Sequence, residues 1–263
     1  MTTTPPLLTL LTDFGARDYY VAAVKGTVLS LAPGTTIVDL THAIAPGDVE
    51  EAAFVLSAAA ASFPPTTLHL AVVDPGVGSP RGLVAAQNRV GTFLAPDNGL
   101  LTHELARGGA AAVAVDRHDL ALPSPGATFH GRDRFAPIAA AILRGESLAN
   151  LGAPLTHPVH LALPAPWRLA DTLTGRVAHI DGFGNAVTDI PATWLPSPGT
   201  RRARVEIGAH GTDRGATHYA ALAPGEAAWM VGSLGTLELA IRDGDLAAAW
   251  GLRRGAEVRV QLG

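Results

Sequence analysis

The sequence predicts an α/β protein whose N-terminal domain has a mainly parallel central sheet, followed by a smaller β-rich domain, a barrel or a sandwich. Two features of the 263-residue chain carry this reading. Strand-length apolar runs alternate with helix-period segments in the first half, and short strand-like runs with glycine turns fill the last third. Residues 7–12 form an apolar strand ending at Asp13. From Asp18, a cap candidate, Val21, Val24, Val28 and Leu31 recur at helical spacing until Pro33-Gly34 stops them. Thr35 to Leu40 is a second strand. Asp48 and Glu51 read as a capping box opening a helix to about Ser62, before Pro64-Pro65. Leu68 to Val73 is the third strand, which completes the β-α-β-α-β alternation of a parallel sheet.

Leu83 to Gln87 and Thr92 to Ala95 flank a turn, Asn88-Arg89-Val90-Gly91, as a hairpin. Gly99 to Arg107 reads as helix, Ala111 to Val115 as strand and Phe135 to Leu143 as an apolar helix. Residues 145–170 carry Pro154, Pro158, Pro164 and Pro166 without a helical period, the texture of a semi-rigid connection. Beyond it come Arg176 to Ile180, Ala186 to Ile190, Ala203 to Ile207, Ala227 to Val231, Leu237 to Ile241 and Glu257 to Leu262. The expected organisation is an N-terminal domain over residues 1–160, a linker over 161–174 and a C-terminal domain over 175–263.

Composition narrows the function classes. With 48% hydrophobic residues, 16% charged and a net charge of −4, the chain has enough apolar surface for a packed core. The same balance leaves no basic field for nucleic acid. The absence of cysteine rules out disulfides, thiolate metal sites and a cysteine nucleophile. No apolar stretch reaches membrane-spanning length, and Met1 to Pro6 lacks the basic and apolar regions of a secretory leader, so a cytoplasmic protein is expected.

The segment Val72-Val73-Asp74-Pro75-Gly76-Val77-Gly78-Ser79-Pro80-Arg81-Gly82 concentrates the chemistry. It places a carboxylate at the end of a buried strand, where open α/β sheets build their sites, and follows it with a stiff turn. Arg81, seven residues on, can fold back towards Asp74. Other polar groups sit at strand ends or turns: Asp13 with Asp18, His130 with Arg132 and Asp133, and Asp181 with Asn185 and Ser233. His130 precedes the Phe135 helix, whose N-terminal dipole favours a neutral imidazole. Asp13, Asp18, Asp74 and His130 are the set that could hold a hard divalent ion. Against a metal site, an arginine beside Asp74 would compete with the cation, and there is no HExxH. Neither a GxSxG nucleophile elbow, nor a P-loop, nor a complete dinucleotide fingerprint is present.

Thr12-Asp13-Phe14-Gly15, Val38 to His42, Gly47 to Ala52, Val73 to Gly78, Ala95 to Leu100, Phe129 to Asp133 and Ile180 to Asn185 occur in that order over nearly the whole chain. Together they resemble the S-adenosyl-L-methionine (SAM) hydroxide adenosyltransferases, relatives of the SAM-dependent fluorinase and chlorinase. The resemblance implies a β-barrel-like C-terminal domain and hydrolysis of SAM to adenosine and L-methionine. SAM is then the substrate, with no separate cofactor and no metal. It implies a homotrimer binding substrate between the N-terminal domain of one subunit and the C-terminal domain of the next. Asp74, Arg81 and His130 take the catalytic positions. Asp13 matches the grip on the ribose diol, Asp181 and Ser233 contacts to the methionine end, and Phe183 and Asn185 contacts to adenine. Asp18 is a weaker match, behind the directly contacting groups.

Two positions depart from the halogenating relatives. Leu234 stands where they carry an arginine, and Gly47 where they carry a tryptophan. Those relatives also have a tyrosine in place of Asp74 and lack the imidazole of His130. The competing readings are a SAM-dependent halogenase, a SAM- or adenosine-binding module without turnover, and a metal phosphoesterase.

Overall fold

The computed structural model describes residues 5–124, 126–197 and 203–263, so Met1 to Thr4 lie outside the described residues. The chain divides into two compact units, Met1–Leu161 and Ala162–Gly263. In the first, β1 (Leu7–Thr12), α1 (Tyr20–Leu31), β2 (Thr36–Thr41), α2 (Val49–Ala60) and β3 (Leu68–Val72) follow the expected alternation. They are followed by β4 (Leu83–Gln87), β5 (Thr92–Pro96), α3 (Thr102–Leu105), β6 (Ala111–Val115), α4 (Ala136–Leu143) and β7 (Gly152–Pro154). The sheet order is β2-β1-β3-β5-β4-β6-β7. β2, β1, β3 and β5 pair in parallel, and β4, β6 and β7 extend the sheet through antiparallel pairs.

Period-two alternation builds both faces of this sheet. Leu8, Leu10, Leu68, Leu70 and Val72 pack on one side with Val24 and Val28 of α1 and Ile138 and Ala139 of α4. Leu11, Ala71, Val73 and Phe93 pack on the other with Ala52, Leu56 and Ala60 of α2. α2 is capped as expected, Asp48 accepting from the Glu51 amide at 3.0 Å. α1 is not: its first position follows Tyr19, which makes no side-chain cap, and Asp18 stays exposed. The helix expected over Gly99 to Arg107 shrinks to Thr102–Leu105. Gly99 has φ +96°, outside right-handed helix, and Asn98 Oδ1 already accepts from the Leu100 amide.

The second unit contains β8 (Trp167–Leu169), β9 (Thr172–Ile180), β10 (Ala186–Pro191), β11 (Ala203–Ile207), β12 (His210–Thr212), β13 (Ala227–Val231), β14 (Thr236–Ile241), α5 (Leu246–Trp250) and β15 (Glu257–Leu262). Its strands pair antiparallel in the order β12-β11-β15-β9-β10-β14-β13. Thr212 Oγ1 donates to Ala227 O at 3.0 Å, and Trp229 exchanges backbone hydrogen bonds with Arg214 and Ala216. These links bring the two ends of the sheet together as a nearly closed barrel around Trp229, Leu239, Val205 and Val260. Within residues 161–174, read as linker from the sequence, the chain forms β8 and enters β9, Trp167 pairing with Thr174. Among the described residues no helix is long and apolar enough to cross a membrane.

One buried polar side chain makes the first unit sensitive to pH. His69 on β3 is fully buried, shares a 2.7 Å hydrogen bond with Thr9 Oγ1 and stacks on Phe93 at 4.9 Å. Burial pushes its pKa from 6.5 down to about 4, against an opposing pull from Glu104. The unfolded chain therefore takes up a proton near 6.5 that the folded chain refuses until near 4. This contribution is complete above pH 6.5 and is lost as the pH falls towards 4, by about 3 kcal/mol at most. Urea midpoints measured from pH 7 to 4.5 should fall less steeply for His69→Gln than for the wild type. Parallel slopes would show that His69 does not carry the effect.

Candidate active site

The parallel register of β1 and β3, Thr12 opposite Val72, brings Asp13 and Asp74 to the same edge of the sheet, at the C-terminal ends of adjacent strands. Asn98 Nδ2 donates to Val73 O at 2.9 Å and fixes the strand end just before Asp74. The turn then closes on itself, with Val77 N donating to Asp74 O and Ser79 Oγ to Gly76 O. Arg81 returns as the spacing predicts. Its Nε lies 2.8 and 2.9 Å from the two carboxylate oxygens of Asp74, and its Nη2 makes a further short contact to Oδ2. The pair is largely shielded, with side-chain exposures of 10% and 5%. A guanidinium and a carboxylate removed together from water hold one geometry far more firmly than a surface pair.

Arg81 Nη2 also reaches His130 Nδ1 at 3.0 Å. A guanidinium only donates, so Nδ1 must accept, and the neutral ring carries its proton on Nε2. His130 is buried, and its pKa is lowered by burial first and then by the charges of Arg81 and Arg134, against Asp74 and Asp133. The imidazole is neutral, as the sequence suggests, but burial rather than a helix dipole is the leading cause. His130 heads the π-helical segment Gly131–Phe135 that runs into α4. Gly131 is packed so closely against Phe14 and Phe129 that a Cβ would stand 3.2 Å from the Phe14 ring.

Asp13 is held from two sides. Its Oδ2 accepts from the Gly47 amide at 2.8 Å, a backbone position with φ +75° that suits glycine. Behind it runs a chain of polar contacts that the sequence did not reveal. Lys25 donates to Asp39 at 2.6 Å, and His42 Nε2 stands 3.1 Å from Asp39 Oδ1. His42 Nδ1 then lies 2.8 Å from Thr12 Oγ1, which accepts from the Phe14 amide. Thr12 is fully buried, so this threonine–histidine–aspartate order fixes the Asp13 loop and exposes no nucleophile. The motif Val38 to His42 was the available signal.

Asp13, Asp74 and His130 line one cavity of about 270 Å³. Phe14, Tyr19, Tyr20 and Phe129 supply much of the remaining wall. Asp18 does not line it. Among the described residues no group of three or more His, Asp or Glu side chains is placed to share a metal ion.

In the second unit Asp181, Phe183 and Asn185 line a separate cavity of about 590 Å³ with Tyr219 and Arg242. Asp181 is largely committed to its own turn. Oδ1 accepts from the Phe183 and Asn185 amides, and Oδ2 from Asn185 Nδ2, all at 2.9 Å. The turn presents Phe183 at 81% exposure. Tyr219, unnoticed in the sequence, donates to buried Glu238, and burial together with that bond pushes its pKa up to about 12. Ser233 is exposed in the β13–β14 turn and does not line this cavity. A larger hollow of about 760 Å³ beside His210 and Trp250 holds none of the expected site residues.

Comparison with known proteins identifies the family. Residues 8–152 match the SAM hydroxide adenosyltransferase N-terminal domain, and residues 175–259 match its C-terminal domain. An (R)-S-adenosyl-L-methionine hydrolase from Salinispora tropica is 39% identical, with 98% of each chain covered. A Thermus thermophilus protein of the same name is also 39% identical, over 95% of this chain and 97% of its own. The crystal structure of an uncharacterized conserved protein from Thermotoga maritima superposes with a TM-score of 0.90 at 32% identity, covering 97% of this chain and 99% of that one. Relatives named fluorinase match at 27–30% identity. The chain belongs to the SAM hydroxide adenosyltransferase family.

Proposed function

We propose that this chain hydrolyses S-adenosyl-L-methionine to adenosine and L-methionine, with Asp74, Arg81 and His130 placing and activating the attacking water. The Asp74–Arg81–His130 cluster carries this reading, because it sets a carboxylate, a fixed cation and a neutral imidazole beside one cavity. Water attacks C5′ in line with the C–S bond. A lone pair of its oxygen forms the new C–O bond, the C–S pair leaves with sulfur as neutral methionine, and one proton is removed, its O–H pair staying on oxygen. The sulfonium needs no acid to depart, so what the site supplies is orientation and a proton acceptor.

Of the two candidate acceptors, Asp74 fits better. The lone pair of His130 is occupied by Arg81, and its free Nε2–H can only donate towards the oxygen. Asp74 keeps about one acceptor site, on Oδ1, beyond its three contacts from Arg81, and Arg81 steadies the oxygen as it gains negative charge. Asp13 receives the ribose diol, with Asp18 outside direct contact. Phe183 stacks on adenine, and Asn185 keeps Oδ1 free for the base edge. Asp181 keeps about one acceptor site for the ammonium beyond its turn bonds. Ser233 and backbone donors serve the carboxylate, since Leu234 cannot.

A cavity of about 270 Å³ is small for a ligand of this size, and the adenine-type groups lie in the other unit. The working form that the family resemblance implies is a homotrimer, with the C-terminal domain of a neighbouring subunit completing each site. It operates in the cytoplasm without a cofactor, nucleic acid or membrane. The (R) configuration at sulfur in the relatives' names extends to this chain as its preferred epimer.

The runner-up is halide attack. The negative oxygens of Asp74 at the nucleophile's seat repel a halide, which favours hydrolysis. With chloride or fluoride present, SAM should still give adenosine, and 5′-halo-5′-deoxyadenosine as the main product would reverse the reading.

In ¹⁸O-water the 5′-hydroxyl of the adenosine should carry the label. Asp74→Asn should lower kcat by about 10²–10⁴-fold. Undiminished release by that variant would remove Asp74 from the chemistry. Because burial lowers the His130 pKa, kcat/KM should hold steady as the pH falls to 6.5 and decline only below it, where protonation displaces Arg81 from Nδ1. An acid limb centred above 6.5 would contradict the neutral imidazole.

A further inference from the structure

The cavity beside Asp74 has an aromatic wall that water activation does not require. Tyr20 meets Phe129 edge to face at 5.1 Å and 86°, Tyr19 meets Phe129 at 6.3 Å and 84°, and Phe14 meets Phe129 at 6.1 Å and 74°. Tyr19 and Tyr20 lie 4.6 Å apart, tilted by 34°. Rings inclined in this way turn faces and edges to a common space from several directions. Aliphatic side chains would serve a purely apolar ligand equally well, whereas aromatic faces add attraction for a cation. Core filling does not account for Tyr19, which is 63% exposed.

Charge around the cavity points the same way. The charged groups of the lining itself are the carboxylates Asp13 and Asp74, His130 being neutral, while Arg81 and Arg134 act on His130 without lining the cavity, so the surface a ligand meets is negative. Phe129 already accommodates one cation, the Arg132 guanidinium, 5.0 Å from its centroid. That charge is matched by the Arg132–Asp133 ion pair, so it does not oppose a second cation in full.

We propose that Phe14, Tyr19, Tyr20 and Phe129 form a cage for the sulfonium of SAM, so that the site selects its substrate by the charge on sulfur. The proposal rests on the SAM-hydrolase reading and adds how the substrate is told from neutral thioethers. In-line attack sets the oxygen about 3–3.5 Å from C5′ on the Asp74 side, with sulfur across the carbon on the opposite side. Apart from Val72, Val77, Thr128 and Gly131, the aromatic residues are the part of the lining left to receive it. As the C–S bond breaks, sulfur loses its charge and the attraction fades. The cage therefore favours bound substrate over both neutral products and does not lower the barrier itself. Tyr19 and Tyr20 are specificity residues in this scheme, distinct from the groups that handle the proton.

The test compares SAM with S-adenosylhomocysteine, the neutral thioether lacking one methyl group. Wild-type protein should bind SAM more tightly. Tyr19→Leu and Tyr20→Leu should each raise KM for SAM by about 3–10-fold, with the loss in kcat/KM carried by KM. The inhibition constant of S-adenosylhomocysteine should stay within about twofold, a cation–π loss having no counterpart in a neutral ligand. Tyr19→Phe and Tyr20→Phe, which keep the ring face, should retain the wild-type preference. Equal losses for both ligands, or no change for either, would overturn the cage. Absence of adenosine from wild-type protein would instead strike the hydrolase reading, because calorimetric preference for SAM over the thioether still reports the cage.

Discussion

The buried Asp74–Arg81 pair is the interaction on which the rest of the site depends. Its two charges are shielded from water, so neither can be removed without leaving the other exposed to a low-dielectric surrounding. The turn from Pro75 to Pro80 determines where the arginine returns, and the Asn98 bond to Val73 O determines where the carboxylate starts. The same guanidinium sets the tautomer of His130. One ion pair thereby fixes the orientation of three groups, and the nucleophile's seat is a consequence of that geometry.

Sheet topology does the remaining placement. Parallel pairing of β1 and β3 puts two carboxylates at one edge, so Asp13 and Asp74 need no loop search to meet. The chain of polar contacts from Lys25 through Asp39, His42 and Thr12 holds the loop after β1, and Gly47 secures the Asp13 side chain itself. A rigid base facing an aromatic wall divides the work. In the function and the cage proposed above, the base handles the reacting oxygen and the wall reads the charge that distinguishes substrate from product.

Much of this was legible in the sequence because its signals are local. The Leu68 to Gly82 run, the Asp48–Glu51 cap and the Asn88 to Gly91 turn all form as their residues dictate. What escaped depends on partners distant in sequence. Tyr19 and Tyr20 carry no signal of their own in the sequence, and only the fold brings Phe129 against them. His42 and Tyr219 gain their roles from Thr12 and Glu238, thirty and nineteen residues away. Asp18, grouped with Asp13 in the sequence, stands exposed beyond a bend and does not line the cavity. Asp181 was read as a ligand group, and its short-range amide bonds also make it the frame of its turn.

The central claim is that Asp74 and Arg81 act as one unit on the attacking water. A double-mutant cycle on kcat/KM, with Asp74→Asn, Arg81→Lys and the combined variant, measures this directly. Because either change alone dismantles the pair, the combined variant should be about as impaired as the worse single variant. Losses that simply multiply in the double variant would show two independent contributions and contradict the claim.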